Sequence, residues 1–195
     1  MPMRQLAPLL ALALISVAVG SSGAWAAPPT ADPAVTRLSK LSGQAFDVAF
    51  LQALIPMDDE SIEIAMAATL NADHPTLLQW NQTFAEQARA QVRRMLALLQ
   101  DAGAAPAQRN EGVVTPSVQR MRTLRGVALE KVYLPLMAAR LDQGVALARL
   151  AVQKGTRPAV RSFASEVVRV DGQESATLRG WLRQWYAEAA LLMPH

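Results

Sequence analysis

Residues 46–68, FDVAFLQALIPMDDESIEIAMAA, decide the fold. Apolar or small residues recur at Phe46, Phe50, Ala53/Leu54, Met57, Ser61, Ile64/Ala65 and Ala68, a spacing of three and four. That is the period of one helix face, so the stretch predicts an amphipathic helix with Met57 on its inward stripe. Asp58, Asp59 and Glu60 follow Met57 directly. Carboxylates beside a core stripe call for partners, because an unpaired buried charge is costly.

Working outward, the helix is expected from about Ser42 to Asn71, kinked or divided locally at Pro56, which cannot donate to the preceding turn. Asp73 is expected to cap a second helix with Pro75 in its first turn. That helix presents Leu77/Leu78, Phe84, Ala88, Gln91/Val92, Met95 and Leu98/Leu99 on one face, with Gly103 at its end. Residues 102–115 read as a linker. Thr115-Pro116 starts a third helix, interrupted at Pro135 and ended by Gly155. Thr156 is expected to cap a fourth, which carries Phe163, Val167, Val170, Glu174, Leu178 and Trp181/Leu182.

The two halves match. Pairing Pro75 with Pro158 sets an offset of 83 residues, at which Phe50 meets Tyr133, Leu54 meets Met137, Met57 meets Arg140 and Asp59 meets Asp142. The matches fall on apolar faces, as two copies of one fold would require. The sequence therefore predicts an all-α, ferritin-like four-helix bundle of two repeated hairpins, 42–102 and 116–190, in one domain spanning 42–190.

The N-terminal residues 1–26 read as a signal peptide. Arg4 is followed by an almost wholly apolar run from Leu6 to Gly20 and then by the small-x-small site Ala24-Trp25-Ala26. Cleavage near Ala26 would leave a flexible lead-in, 27–41, and a periplasmic or secreted protein. The mature chain holds no apolar run of the ~20 residues a membrane helix needs. There is no Cys, which removes disulfides, thiolate metal sites and cysteine nucleophiles. The net charge of +3 is spread among charges of both signs, without the basic stripe of a nucleic-acid binder.

The first half resembles DUF family 305, a ferritin-like group of secreted four-helix proteins. Its hallmark runs roughly Phe-Asp-x-x-Phe-Leu-x-x-Met-Ile-Pro-His-His-x-x-Ala-Ile-x-Met-Ala. Phe46-Asp47, Phe50-Leu51, Leu54-Ile55-Pro56, Ile62 and Ala65 match it, and His74-Pro75 looks like the family's inter-helix turn. The signature histidines correspond to Met57 and Asp58, and in the second half to Arg140 and Leu141. The family glutamate corresponds to Gln91. Some members are associated with copper or other metals through His and Met, so the resemblance implies a degenerate form of that site.

Three readings of the chemistry stand side by side. Copper, which as Cu(I) favours thioethers, could use Met57, Met95 and Met137 with Asp58, although a Met at core spacing is most often core. A di-iron or di-manganese carboxylate site is not expected, since no Glu-x-x-His occurs. The third reading is a core polar cluster of Asp58, Asp59, Arg140 and Asp142, with the guanidinium in place of a metal. With two His in the chain, His74 and His195, and no nucleophile elbow or phosphate loop, no catalysis is expected. The function expected is binding or stress protection. A protein-interaction role through the Trp181, Trp185 and Tyr186 end, and a homodimer or a periplasmic protein as partner, remain open.

Overall fold

The computed structural model describes residues 32–187; the expected signal peptide 1–26, residues 27–31 of the expected lead-in and the last eight residues lie outside them. Four long helices build the bundle: α2 (Gly43–Thr69), α3 (Pro75–Asp101), α5 (Gly126–Lys154) and α6 (Pro158–Trp185). Two short helices, α1 (Pro33–Ser39) and α4 (Pro116–Thr123), complete the chain order. No strand occurs among the described residues. Helices α2 and α3 form one hairpin and α5 and α6 the other; α2 packs against α5, α4 against α2, and α1 against α5 and α2.

Residues 33–39, expected as part of the flexible lead-in, are helical. The Asp32 Oδ1 accepts from the Ala34 amide at 2.7 Å, and Pro33 sits at the first helical position. Both features favour a helix start. Leu38 is fully buried, which docks α1 to the bundle.

Proline does not divide the long helices. Both α2 and α5 run continuously through Pro56 and Pro135, because burial of the flanking residues Leu54, Ile55, Leu134 and Met137 outweighs one missing N–H donor. The break in the second half falls elsewhere. The expected single helix from Thr115 is two, separated at Leu124 and Arg125, both extended. Thr115 does cap α4, accepting from Val118 N at 3.3 Å. At the far end of α3, Gly103 N donates to Gln100 O and Ala104 N to Leu99 O, which is a Schellman closure.

The core has two main apolar clusters. One holds Phe46, Phe50, Leu54, Met95, Leu147 and Phe163, and the other holds Ile64, Leu129, Tyr133, Met137, Leu178 and Leu182. Each fully buried Leu or Phe contributes about 1.5–3 kcal/mol. A buried ion pair contributes near zero net, so these clusters and not the polar groups between them hold the bundle together.

Candidate functional site

A polar layer crosses the middle of the bundle. It surrounds a cavity of about 20 Å³ lined by Met57, Asp58 and Ser61 of α2, Gln91 of α3, Arg140 and Gly144 of α5, and Asp171 and Glu174 of α6. That volume suits about one water molecule. Gly144 lies beside Asp171: an added Cβ would stand 3.5 Å from the Asp171 Oδ2, at ordinary van der Waals contact.

Arg140 is the cation of this layer, with its side chain 15% exposed. Its Nε donates to Ser61 Oγ at 3.0 Å, and its Nη2 donates to Glu60 Oε2 at 2.9 Å and to the Met57 carbonyl at 3.2 Å. The guanidinium thus clasps one turn of α2, directly opposite its own repeat counterpart, Met57.

Two carboxyls, Asp58 and Asp171, face the cavity. Burial pushes the Asp58 carboxyl well above the ordinary carboxylate range, Asp171 and Asp59 push it further, and Arg140 opposes them. Its Oδ2 has no hydrogen-bond partner among the described residues. Burial likewise pushes Asp171 up to about 7, against a hydrogen bond from Gln91 and with the charge of Glu174 adding to the rise. Desolvation disfavours the charged form of both, so the layer leans toward protonated carboxyls more than its residue types suggest.

The expected cluster of Asp58, Asp59, Arg140 and Asp142 is distributed over separate partners. Arg140 pairs with Glu60 and lies close enough to Asp58 to act on it electrostatically. Asp59 turns to the linker, where Arg109 grips it with two hydrogen bonds of 2.7 and 2.9 Å and the Asn110 amide adds a third. Asp142 binds Ser175 Oγ at 2.7 Å and Arg179. The cause is helix geometry: consecutive residues point about 100° apart, so Asp58, Asp59 and Glu60 cannot share one direction. The methionines divide as well. Met57 and Met95 belong to one apolar cluster and Met137 to the other. Among the described residues, no three His, Asp or Glu side chains converge as a metal site would need.

His74 belongs to the bundle end. Its ring stacks on Trp185 with centroids 4.0 Å apart, and its Nδ1 meets the buried Glu130. Glu130 also accepts from the amides of Asp73 and His74 and from Tyr186 Oη. Burial raises the Glu130 carboxyl, but these donors outweigh it and the net shift is downward. The same device recurs at the other end. Asp47 accepts from Thr156 N, Thr156 Oγ1 and Arg157 N. Asp73 and Thr156, expected to cap α3 and α6 with their side chains, do not do so. The N-caps are His74 and Arg157, without side-chain capping bonds, and the capping acids come from the opposite hairpin. Sequence reasoning missed Asp47, Glu130, Arg109 and Asp171. The signal for the first two was present, since the offset of 83 residues pairs Asp47 with Glu130 and Asp73-His74 with Thr156-Arg157.

A four-helix bundle of two hairpins, each lending an acid to cap the other, defines a duplicated helical class. The chain belongs to the family described as Domain of unknown function (DUF305), whose model matches it twice, over residues 23–99 and 100–182. Solved structures share the fold. CopM in the Cu(I)-bound form has a TM-score of 0.64 at 17% identity, covering 72% of this chain and 97% of that one. A putative secreted DUF305 protein from Streptomyces coelicolor scores 0.63 at 18% identity, covering 71% and 91%. A DUF305 fragment from Deinococcus radiodurans scores 0.62 at 21% identity, covering 71% and 95%. No curated protein matches the sequence.

Proposed function

We propose that this chain is an exported, non-catalytic DUF305 bundle, a binding or stress-related protein of the cell envelope whose mid-bundle metal site has been replaced by an arginine–carboxylate centre. One observation carries this reading. Arg140 reaches across to Glu60, Ser61 and the Met57 carbonyl, at the level where the family signature would place histidines. The donor set there fits copper poorly. It offers one thioether, no imidazole, a carboxyl whose burial disfavours its charged form, and a fixed positive charge.

A second reading, copper binding through Met57, Met95, Met137 and Asp58, is favoured by two facts. CopM, which shares the fold, was solved in Cu(I)-, Cu(II)- and Ag-bound forms. Met57 packs against the cluster that contains Met95. Competition of residues 27–195 with a chromogenic Cu(I) chelator separates the two readings. The arginine–carboxylate reading expects no binding tighter than about micromolar. Tight one-to-one binding that disappears in Met57→Leu would overturn it in favour of copper.

A further inference from the structure

The mid-bundle cavity is too small for an organic ligand, but a concavity of about 260 Å³ opens between α2, α3 and the 102–115 linker. We propose that it binds a small organic monoanion, with a carboxylate seated on Arg89 and Arg93 and an apolar body resting on Ile62, Val92 and Leu96. This inference does not depend on what occupies the bundle centre.

The charges of the concavity are unevenly used. Three cations, Arg89, Arg93 and Arg109, and three anions, Asp59, Glu63 and Glu111, line it. The anions are engaged in holding the linker. Asp59 is 2% exposed and takes two bonds from Arg109 and one from Asn110 N. Glu63 accepts from Gly112 N at 3.0 Å, and Glu111 pairs with Arg109 at 3.1 Å. Asn110 adds a side-chain bond to the Pro56 carbonyl, the linker's further tie to α2. One wall is therefore fixed before any ligand arrives, which lowers the ordering cost of binding.

Arg89 and Arg93 are in the opposite condition. Both are exposed, and among the described residues neither makes an ion pair or a side-chain hydrogen bond. They stand one helical turn apart, so their side chains are neighbours and repel each other. Two guanidinium forks at that spacing offer paired donors to a carboxylate. Between them and the linker, Ile62 and Val92 form a nearly closed apolar floor, 6% and 2% exposed. The volume lies just under the ~300–1,000 Å³ of drug-sized pockets, so the ligand is small. Glu63 and Glu111 at the rim select a single negative charge, because a phosphate dianion would meet two carboxylates.

The test is an amide-shift NMR titration of the mature chain with 4-methylpentanoate, run beside acetate, 4-methylpentanamide and inorganic phosphate. The expected result is saturable shifts at residues 59–63, 89–96 and 109–112 with 4-methylpentanoate. Acetate should bind at least about tenfold weaker for want of the apolar body, and the uncharged amide should not bind. The Arg89→Gln, Arg93→Gln double variant should weaken binding at least about tenfold while keeping the wild-type thermal melt, since both side chains are exposed. Absence of saturation at about 10 mM would overturn the site. Unchanged affinity in the double variant would overturn the role of the arginines. Phosphate binding as tightly as 4-methylpentanoate would overturn the assignment to a monoanion.

Discussion

Two acids, Asp47 and Glu130, tie the hairpins together one residue at a time. Each sits in the first helix of its own hairpin and satisfies the free amides at the start of the other hairpin's second helix. An anion there also complements the positive end of the helix dipole. Truncation leaves several buried donors without an acceptor, so Asp47→Ala and Glu130→Ala should each cost about 2–4 kcal/mol in urea unfolding at pH 7. Glu130→Gln keeps one acceptor oxygen and should lose about half as much. The two caps lie at opposite ends of helices ~40 Å long, so the double variant should be additive to within about 0.5 kcal/mol. Losses no larger than those of exposed surface changes would show that water replaces these acids without cost.

At the scale of the helix, what was legible is the periodic apolar face, and what was not is any feature set by a neighbour. The stripe through Phe46, Phe50, Leu54 and Ile64 is buried as its spacing demands. Pro56 and Pro135 carried a local rule that tertiary packing overrode. The α4–α5 break is the converse: nothing between Thr115 and Gly155 in sequence marks Gly126 as a helix start, because its reason lies in the turn between α2 and α3. Gly126 has φ +50, its amide donates to Asn71 O at 2.7 Å, and an added Cβ would come within 2.4 Å of the Asp73 Oδ2. Its repeat counterpart Gly43 has φ +63 with nothing within 4 Å of such a Cβ. The pair separates backbone strain from crowding. Gly43→Ala should cost about 1 kcal/mol through φ alone, and Gly126→Ala about 1–2 kcal/mol more, since Asp73 must move beside Glu130. Equal losses in urea midpoints would show that Asp73 swings aside freely.

Over the whole molecule, duplication explains both the symmetry of the caps and the asymmetry of the centre. The copies keep the acids at 47 and 130 but diverge at 57 and 140, where one copy has Met and the other Arg. The Met57–Arg140 correspondence was readable from the offset. The carboxyl pair was not, because Asp171 reads as a polar residue beside Val170 until α6 is docked with that side inward. That pair should set the pH response of the fold. Asp171 titrates at about 7 when folded, against an ordinary value of 3.8, so between those limits the folded state binds more protons than the unfolded. Stability must then fall as pH rises from about 4 to about 7 and level off above, by a few kcal/mol in all. Asp58, shifted in the same direction, adds to the decline. Glu130, shifted down, works oppositely: its contribution is present above the ordinary glutamate range and is lost only in acid. Asp171→Asn keeps the shape without the ionisation. It should be more stable than wild type at pH 8, close to it at pH 4, and flatter in between. Urea unfolding at the two pH values measures this. A variant with the wild-type slope would mean that water reaches the cavity freely enough to solvate the Asp171 charge, and that burial in the centre of the bundle does not set its titration.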